Sequence, residues 1–75
     1  MTIGDIVRER ALELARSQTE VEQAISELLT ACKGNRVAVV RARQQLAASL
    51  DSNPDQHDAM RAIEFLDELR KQLPA

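Results

Sequence analysis

The chain has no Trp and no Tyr, and Phe65 is its one aromatic residue. A core without aromatic bulk has to be assembled from Leu, Ile, Val and Ala, which favours helix packed on helix over a sheet. Cysteine is almost absent as well: Cys32 stands alone, so no intrachain disulfide can staple the fold. Glycine occurs only at Gly4 and Gly34, too far apart for a phosphate-cradling loop. One histidine, His57, leaves little material for acid–base or metal chemistry. No apolar run approaches the ~18 residues of a membrane span, and no signal-like apolar segment follows Met1. Together with the free thiol, these absences lead us to expect a cytoplasmic protein without a membrane partner. The formal net charge of −2 gives no global attraction to nucleic acid or to an anionic lipid surface.

Ala, Leu, Glu, Gln and Arg dominate what is present, and these residues lose little side-chain freedom on entering a helix. Seventy-five residues make one domain, read as 1–75. At 8.4 kDa the chain exposes roughly 12,000 Å² unfolded and roughly 4,600 Å² folded. Apolar burial then contributes on the order of 110 kcal/mol, against an ordering cost of about 110 kcal/mol. So narrow a balance makes self-association the most available extra source of stability.

The sequence is organised around Cys32-Lys33-Gly34-Asn35-Arg36. Gly34 fits the left-handed position that ends a helix, and Asn35 fits the N-cap of the next. Before this joint, apolar residues recur at intervals of three and four through Ile3, Val7, Ala11, Leu14, Val21, Ile25, Leu28 and Cys32, with Gln18 interrupting the stripe. Ser17 with Glu20 and Thr19 with Glu22 form overlapping capping boxes, so a break at residues 17–19 is expected. Length argues the same way, because one continuous helix would run about 43 Å beside a third helix of about 24 Å. Beyond the joint, Val39, Ala42, Leu46 and Leu50 form an inner stripe flanked by Val40 and Ala47. Asp51-Ser52-Asn53-Pro54 supplies a turn, with Pro54 placed in the first turn of the last helix and Asn53 or Ser52 as its cap. Ala59, Ala62, Leu66, Leu69 and Leu73 line that helix, and Pro74 stops it. The expected architecture is all-α, a small antiparallel bundle of four helices at about 4–16, 19–32, 36–50 and 54–73, or three if the first two are continuous.

Charge divides by segment. Residues 35–53 carry +2, whereas residues 19–34 and 54–75 each carry −2 and the first eighteen balance. Packing of a basic helix between acidic ones is the simplest use of that pattern, and contact with an acidic partner or a phosphate backbone is the other. Five apolar residues fall off the main stripes: Ile6, Leu12, Leu29, Val37 and Phe65. Converging on one patch, they would mark an interaction face. Phe65 borders the fourth stripe beside Ala62 and Leu69, and burial of the only aromatic ring gains the most. Arg43 lies among Val39, Val40, Leu46 and Ala47, where its charge must snorkel, find a carboxylate or face a subunit interface. Otherwise α-helical rotation turns Val40, Ala47 and Leu50 inward instead.

No constellation for catalysis, cofactor or metal is expected. His57 has Asp55 and Asp58 nearby, but both carboxylates suit a helix start, so a solvated histidine is expected. Cys32 falls on an apolar stripe and is expected as a buried small hydrophobe. In outline, residues 19–50 resemble a helix-turn-helix, with Leu29 and Thr30 ahead of the glycine and Val40 after it. That resemblance implies Arg36, Arg41, Gln44 and Gln45 as groove readers. Lys33, Asn35 and Arg43 stand where the motif packs apolar side chains, and no basic arm is present.

Two functional expectations result. The first is a non-enzymatic protein–protein interaction module, such as an adaptor, small chaperone or regulatory subunit, that forms homo-oligomers and uses Phe65, Arg43, Ile6, Leu12 and Leu29 as contact surface. Under this reading the partner is a protein and not a nucleic acid. The second is a small DNA-binding regulator reading through Arg36, Arg41, Gln44 and Gln45.

Overall fold

Thr2 opens the first helix with a reciprocal cap. Its hydroxyl accepts from the Asp5 amide while its own amide donates to the Asp5 carboxylate, both at 3.2 Å. The computed structural model describes residues 2–73, arranged as α1 (Ile3–Arg16), α2 (Val21–Cys32), α3 (Arg36–Ser52) and α4 (His57–Gln72). No strand occurs among the described residues. The all-α four-helix bundle expected from the sequence is what forms.

The break between α1 and α2 falls where Gln18 interrupts the stripe, but its chemistry is not a capping box. Gln18 takes a left-handed conformation at φ 55°. Its amide donates to the Ala15 carbonyl, and the Thr19 amide donates to the Leu14 carbonyl, both at 3.1 Å. This pair of bonds is a Schellman ending, with glutamine in the place usually held by glycine. The expected boxes at Ser17 and Thr19 do not form, since α2 begins after Glu20 with no side-chain cap.

At the central joint, Lys33 and Gly34 both have positive φ, 54° and 75°. Asn35 then caps α3, its side-chain oxygen accepting from the Ala38 amide at 3.2 Å. Gly34 and Asn35 thus hold the positions expected of them. The third connection departs from expectation. α3 continues to Ser52, and Pro54 lies outside both helices, as the second residue of a β-turn closed by the Gln56 amide on the Asn53 carbonyl at 3.3 Å. Proline fixes the φ such a turn needs, and Asn53 suits its first position, its side chain also accepting from Asp55. α4 therefore starts later than expected, with Asp58 and not Asp55 in its first turn. Pro74, expected to stop it, lies outside the described residues.

α1 and α4 form an antiparallel central pair, tied at one end by Arg16 and Asp58. α3 lies parallel to α1 and antiparallel to α4: Gly4 rests on Ala38 and Arg41, Arg8 reaches Gln45, and Arg43 meets Asp67. α2 packs on α1 and, less extensively, on α4. Although consecutive, α2 and α3 meet little and clasp the α1–α4 pair from opposite flanks. The core joins Val7, Ala11 and Leu14 of α1 with Ala24, Ile25, Leu28 and Cys32 of α2, Val39, Ala42 and Leu46 of α3, and Ala59, Ala62, Phe65, Leu66 and Leu69 of α4. Leu73, just past the end of α4, completes it. Every residue of the expected α4 stripe is buried, whereas Ile3, at the head of the expected α1 stripe, is 36% exposed. The folded surface of 4761 Å² agrees with the size scaling.

Candidate functional site

The surface is best understood from α3, which buries one stripe and groups several apolar residues on its opposite side, whereas α1, α2 and α4 expose Ile3 and Ile6, Leu29, and Met60. Ala38, Val39, Ala42 and Leu46 are buried. On the opposite side, at intervals of three and four, come Val37, Val40, Gln44, Ala47, Ala48 and Asp51. Val37 is 68% exposed, the largest value among the big apolar side chains of the described residues. Gln44, Ala48 and Asp51 are exposed as well, and Val40 and Ala47 are half-buried. The alternative rotation that turns Val40, Ala47 and Leu50 inward is therefore not adopted; Leu50 packs only on the edge of the core.

Charge on α3 is only partly neutralised within the molecule. Arg43 finds the carboxylate its position demanded, donating to Asp67 on α4 at 2.6 Å. It therefore does not stand free as an interface residue. Arg36, Arg41 and Asp51 are exposed and have no oppositely charged group within 4.0 Å among the described residues. The stem of Arg41 lies over Gly4 of α1.

The remaining expected surface residues do not converge. Phe65 is 0% exposed at the centre of the core, with the Arg61 guanidinium 4.9 Å from its ring centroid. It is withdrawn from any contact surface, since burial of the one ring outweighs its exposure. Leu12 is half-buried against the core edge. Ile6 and Leu29 are 44% and 41% exposed, on α1 and α2 respectively. Leu29 borders a shallow depression with Ile25 of α2 and Gln72 of α4. Val37 and Val40 were visible in the sequence, but their grouping on the outer side of α3 depends on which stripe turns inward.

A cleft of about 560 Å³ opens where α1, α3 and the start of α4 meet, lined by Leu12, Arg16, Gln45, Ser49, His57 and Asp58 among others. Several of its polar groups pair with one another. Arg8 Nη1 donates to Gln45 Oε1 at 2.9 Å, the Ser49 hydroxyl lies 2.8 Å from Gln56 Oε1, and Arg16 pairs with Asp58 at 3.4 Å. No buried side-chain polar atom among the described residues lacks a partner, so nothing in the cleft calls for a ligand. His57 is exposed at the first position of α4. Cys32 is fully buried, with Sγ 3.5 Å from the Leu29 carbonyl oxygen. No cluster of three or more His, Cys, Asp or Glu suited to a metal ion occurs among the described residues. No helix among them is long and apolar enough to cross a membrane.

Of the four groove readers, Arg36, Arg41 and Gln44 are exposed. Gln45 is half-buried and engaged by Arg8. Leu29, which such a motif would pack between its helices, is exposed, and α2 and α3 have little mutual contact.

Among the described residues, Asp5 has the one clear electrostatic perturbation. The hydrogen bonds that its carboxylate and backbone exchange with Thr2, first among them the Thr2 backbone amide, hold its carboxyl below the usual aspartate range. Comparison with protein-family models, curated proteins and solved structures finds no match to this chain.

Proposed function

We propose that this chain is a non-enzymatic protein–protein interaction module that self-associates, serving as an adaptor, small chaperone or regulatory subunit, and that the outer face of α3 is its contact surface. The observation that carries this reading is the second apolar stripe of α3, with Val37 68% exposed between arginines that have no acidic partner. A helix needs one apolar stripe to join a bundle, and a second one is stabilised only by another surface. The narrow thermodynamic margin of so small a domain supports the same conclusion. Val37, Val40, Gln44 and Ala47 fall at i, i+3, i+7 and i+10, the alternating three-and-four spacing of one helix face that a helix-recognising surface engages.

The DNA-reading alternative draws support from Arg36, Arg41 and Gln44 sharing the exposed side of α3. It is the weaker proposal, because Gln45 is engaged by Arg8 and the net charge is negative. Sedimentation equilibrium at low and moderate salt, with and without duplex DNA, separates the two. The module reading expects mass that grows with protein concentration and is indifferent to DNA. A monomer that gains mass only with duplex at low salt, and loses it when Arg36 and Arg41 become Ala, overturns that reading.

A further inference from the structure

We propose that the occupant of the outer face of α3 is a second copy of this chain, its own α3 laid antiparallel across the first about a two-fold axis at Gln44. The proposal rests on the interaction-module reading and adds the partner and its register. Arg36 stands at the start of α3 and Asp51 near its end, both exposed and both without an opposite charge within 4.0 Å among the described residues. Fifteen residues of helix separate them by about 22 Å, so they cannot pair within one copy.

An antiparallel copy centred on Gln44 sets residue i level with residue 88 − i, so Arg36 of each chain comes within one residue, about 1.5 Å along the axis, of Asp51 of the other, twice per dimer. The same register sets Val40 against Ala47 and Ala48 of the second copy. Val37 stands level with Asp51 and within one turn of Ala48, where a small side chain leaves room for a branched one. Gln44 meets its own counterpart on the axis, and two amides donate and accept reciprocally there. A parallel arrangement instead stacks Arg36 on Arg36, Arg41 on Arg41 and Asp51 on Asp51, so like charges select the antiparallel one. Isologous pairing of this kind closes at two chains and does not propagate.

The size of the face sets the strength. Seventeen residues of α3 present a strip about 25 Å long and about 10 Å wide, on the order of 250 Å² per copy. Doubled, this is well below the roughly 1,200 Å² of a stable standard interface, so the dimer is weak and reversible.

The test combines cross-linking with charge reversal in the full chain, with helical content checked by circular dichroism for every variant. In a Cys32→Ala background, Gln44→Cys places two thiols at the axis, and mild oxidation should link two copies there. Ser26→Cys, exposed on α2, should not link. Arg36→Glu or Asp51→Arg alone should weaken dimerisation at least about tenfold at low salt, whereas the double variant should restore it, because both inter-chain pairs are reversed together. A dimer indifferent to all three variants, or one linked through position 26 as readily as 44, overturns the second-copy register and leaves the module reading standing. A chain that stays monomeric to about 1 mM overturns the second copy and the self-association of the module reading together, and one that then gains mass only on duplex DNA overturns the protein-contact reading as well.

Discussion

The two glycines should respond to the same substitution with opposite sign. Gly4 is buried in the first turn of α1, where its backbone is helical and a Cβ would lie 3.5 Å from Arg41 Cδ, 3.7 Å from the Ala38 carbonyl oxygen and 3.7 Å from Arg41 Cβ. These are ordinary van der Waals separations, so Gly4→Ala adds contacts without a clash. Removal of glycine's unfolded-state freedom contributes about 0.4–1 kcal/mol, and the three new van der Waals contacts about 0.1–0.2 kcal/mol each. A gain near 1 kcal/mol raises the midpoint of a domain this size by about 4–8 °C. Gly34 is the reverse case. Nothing lies within 4 Å of a Cβ built there, yet its φ of 75° is left-handed, and Gly34→Ala should lose about 1–2 kcal/mol. Thermal and urea unfolding followed by circular dichroism measures both. A loss of stability in Gly4→Ala would refute the described approach of α1 to α3, and a gain in Gly34→Ala would refute the geometry of the joint.

Gln18 and Lys33, each left-handed at a helix end, should both gain on replacement by glycine, by about 1 kcal/mol apiece in urea unfolding, and a loss in either would contradict its backbone conformation. Phe65→Ala should cost about 3–5 kcal/mol, a large share of the roughly 4–11 kcal/mol expected for the whole domain, and a cost below 1 kcal/mol would mean the ring is not central to the core. Because the folded-state pKa of Asp5 is depressed, its contribution to stability is present above about pH 4 and is lost as pH falls through the folded value. Asp5→Asn should therefore be less stable than the parent at neutral pH and approach it in acid; a pH-independent difference would show that the cap does not depend on the carboxylate.

Periodicity carried the reading of α4 furthest, since Ala59, Ala62, Leu66, Leu69 and Leu73 are all buried as their spacing requires. Asn35 was legible for a similar reason, because a cap acts on its own next residues. The break near Gln18 was visible through the interrupted stripe, but its Schellman bonds were not, because glutamine gives no signal for a left-handed backbone. Thr2 with Asp5 escaped notice because the shorter carboxylate stood where Glu or Gln marks a capping box. Pro54 fits a helix start and a β-turn equally well by sequence, and the turn won once Asn53 could serve at both its backbone and its side chain. What lay beyond reach was pairing across sequence. Nothing local to Arg43 points to Asp67, and nothing in the α2–α3 joint says that two consecutive helices will flank the α1–α4 pair instead of packing together. For the candidate site the same limit applies, because the outer stripe of α3 is recognisable only once the inner one has been assigned.

The measurement that tests the central proposal most directly is a concentration series of amide chemical shifts on the isotope-labelled chain. If the outer face of α3 is the contact surface, the amides of Arg36, Val37, Val40, Gln44, Ala47, Ala48 and Asp51 should move together along one binding curve while α2 stays fixed, and Val37→Asp should abolish the movement. Shifts that move along α2 around Leu29, or that do not move at any concentration, would contradict it.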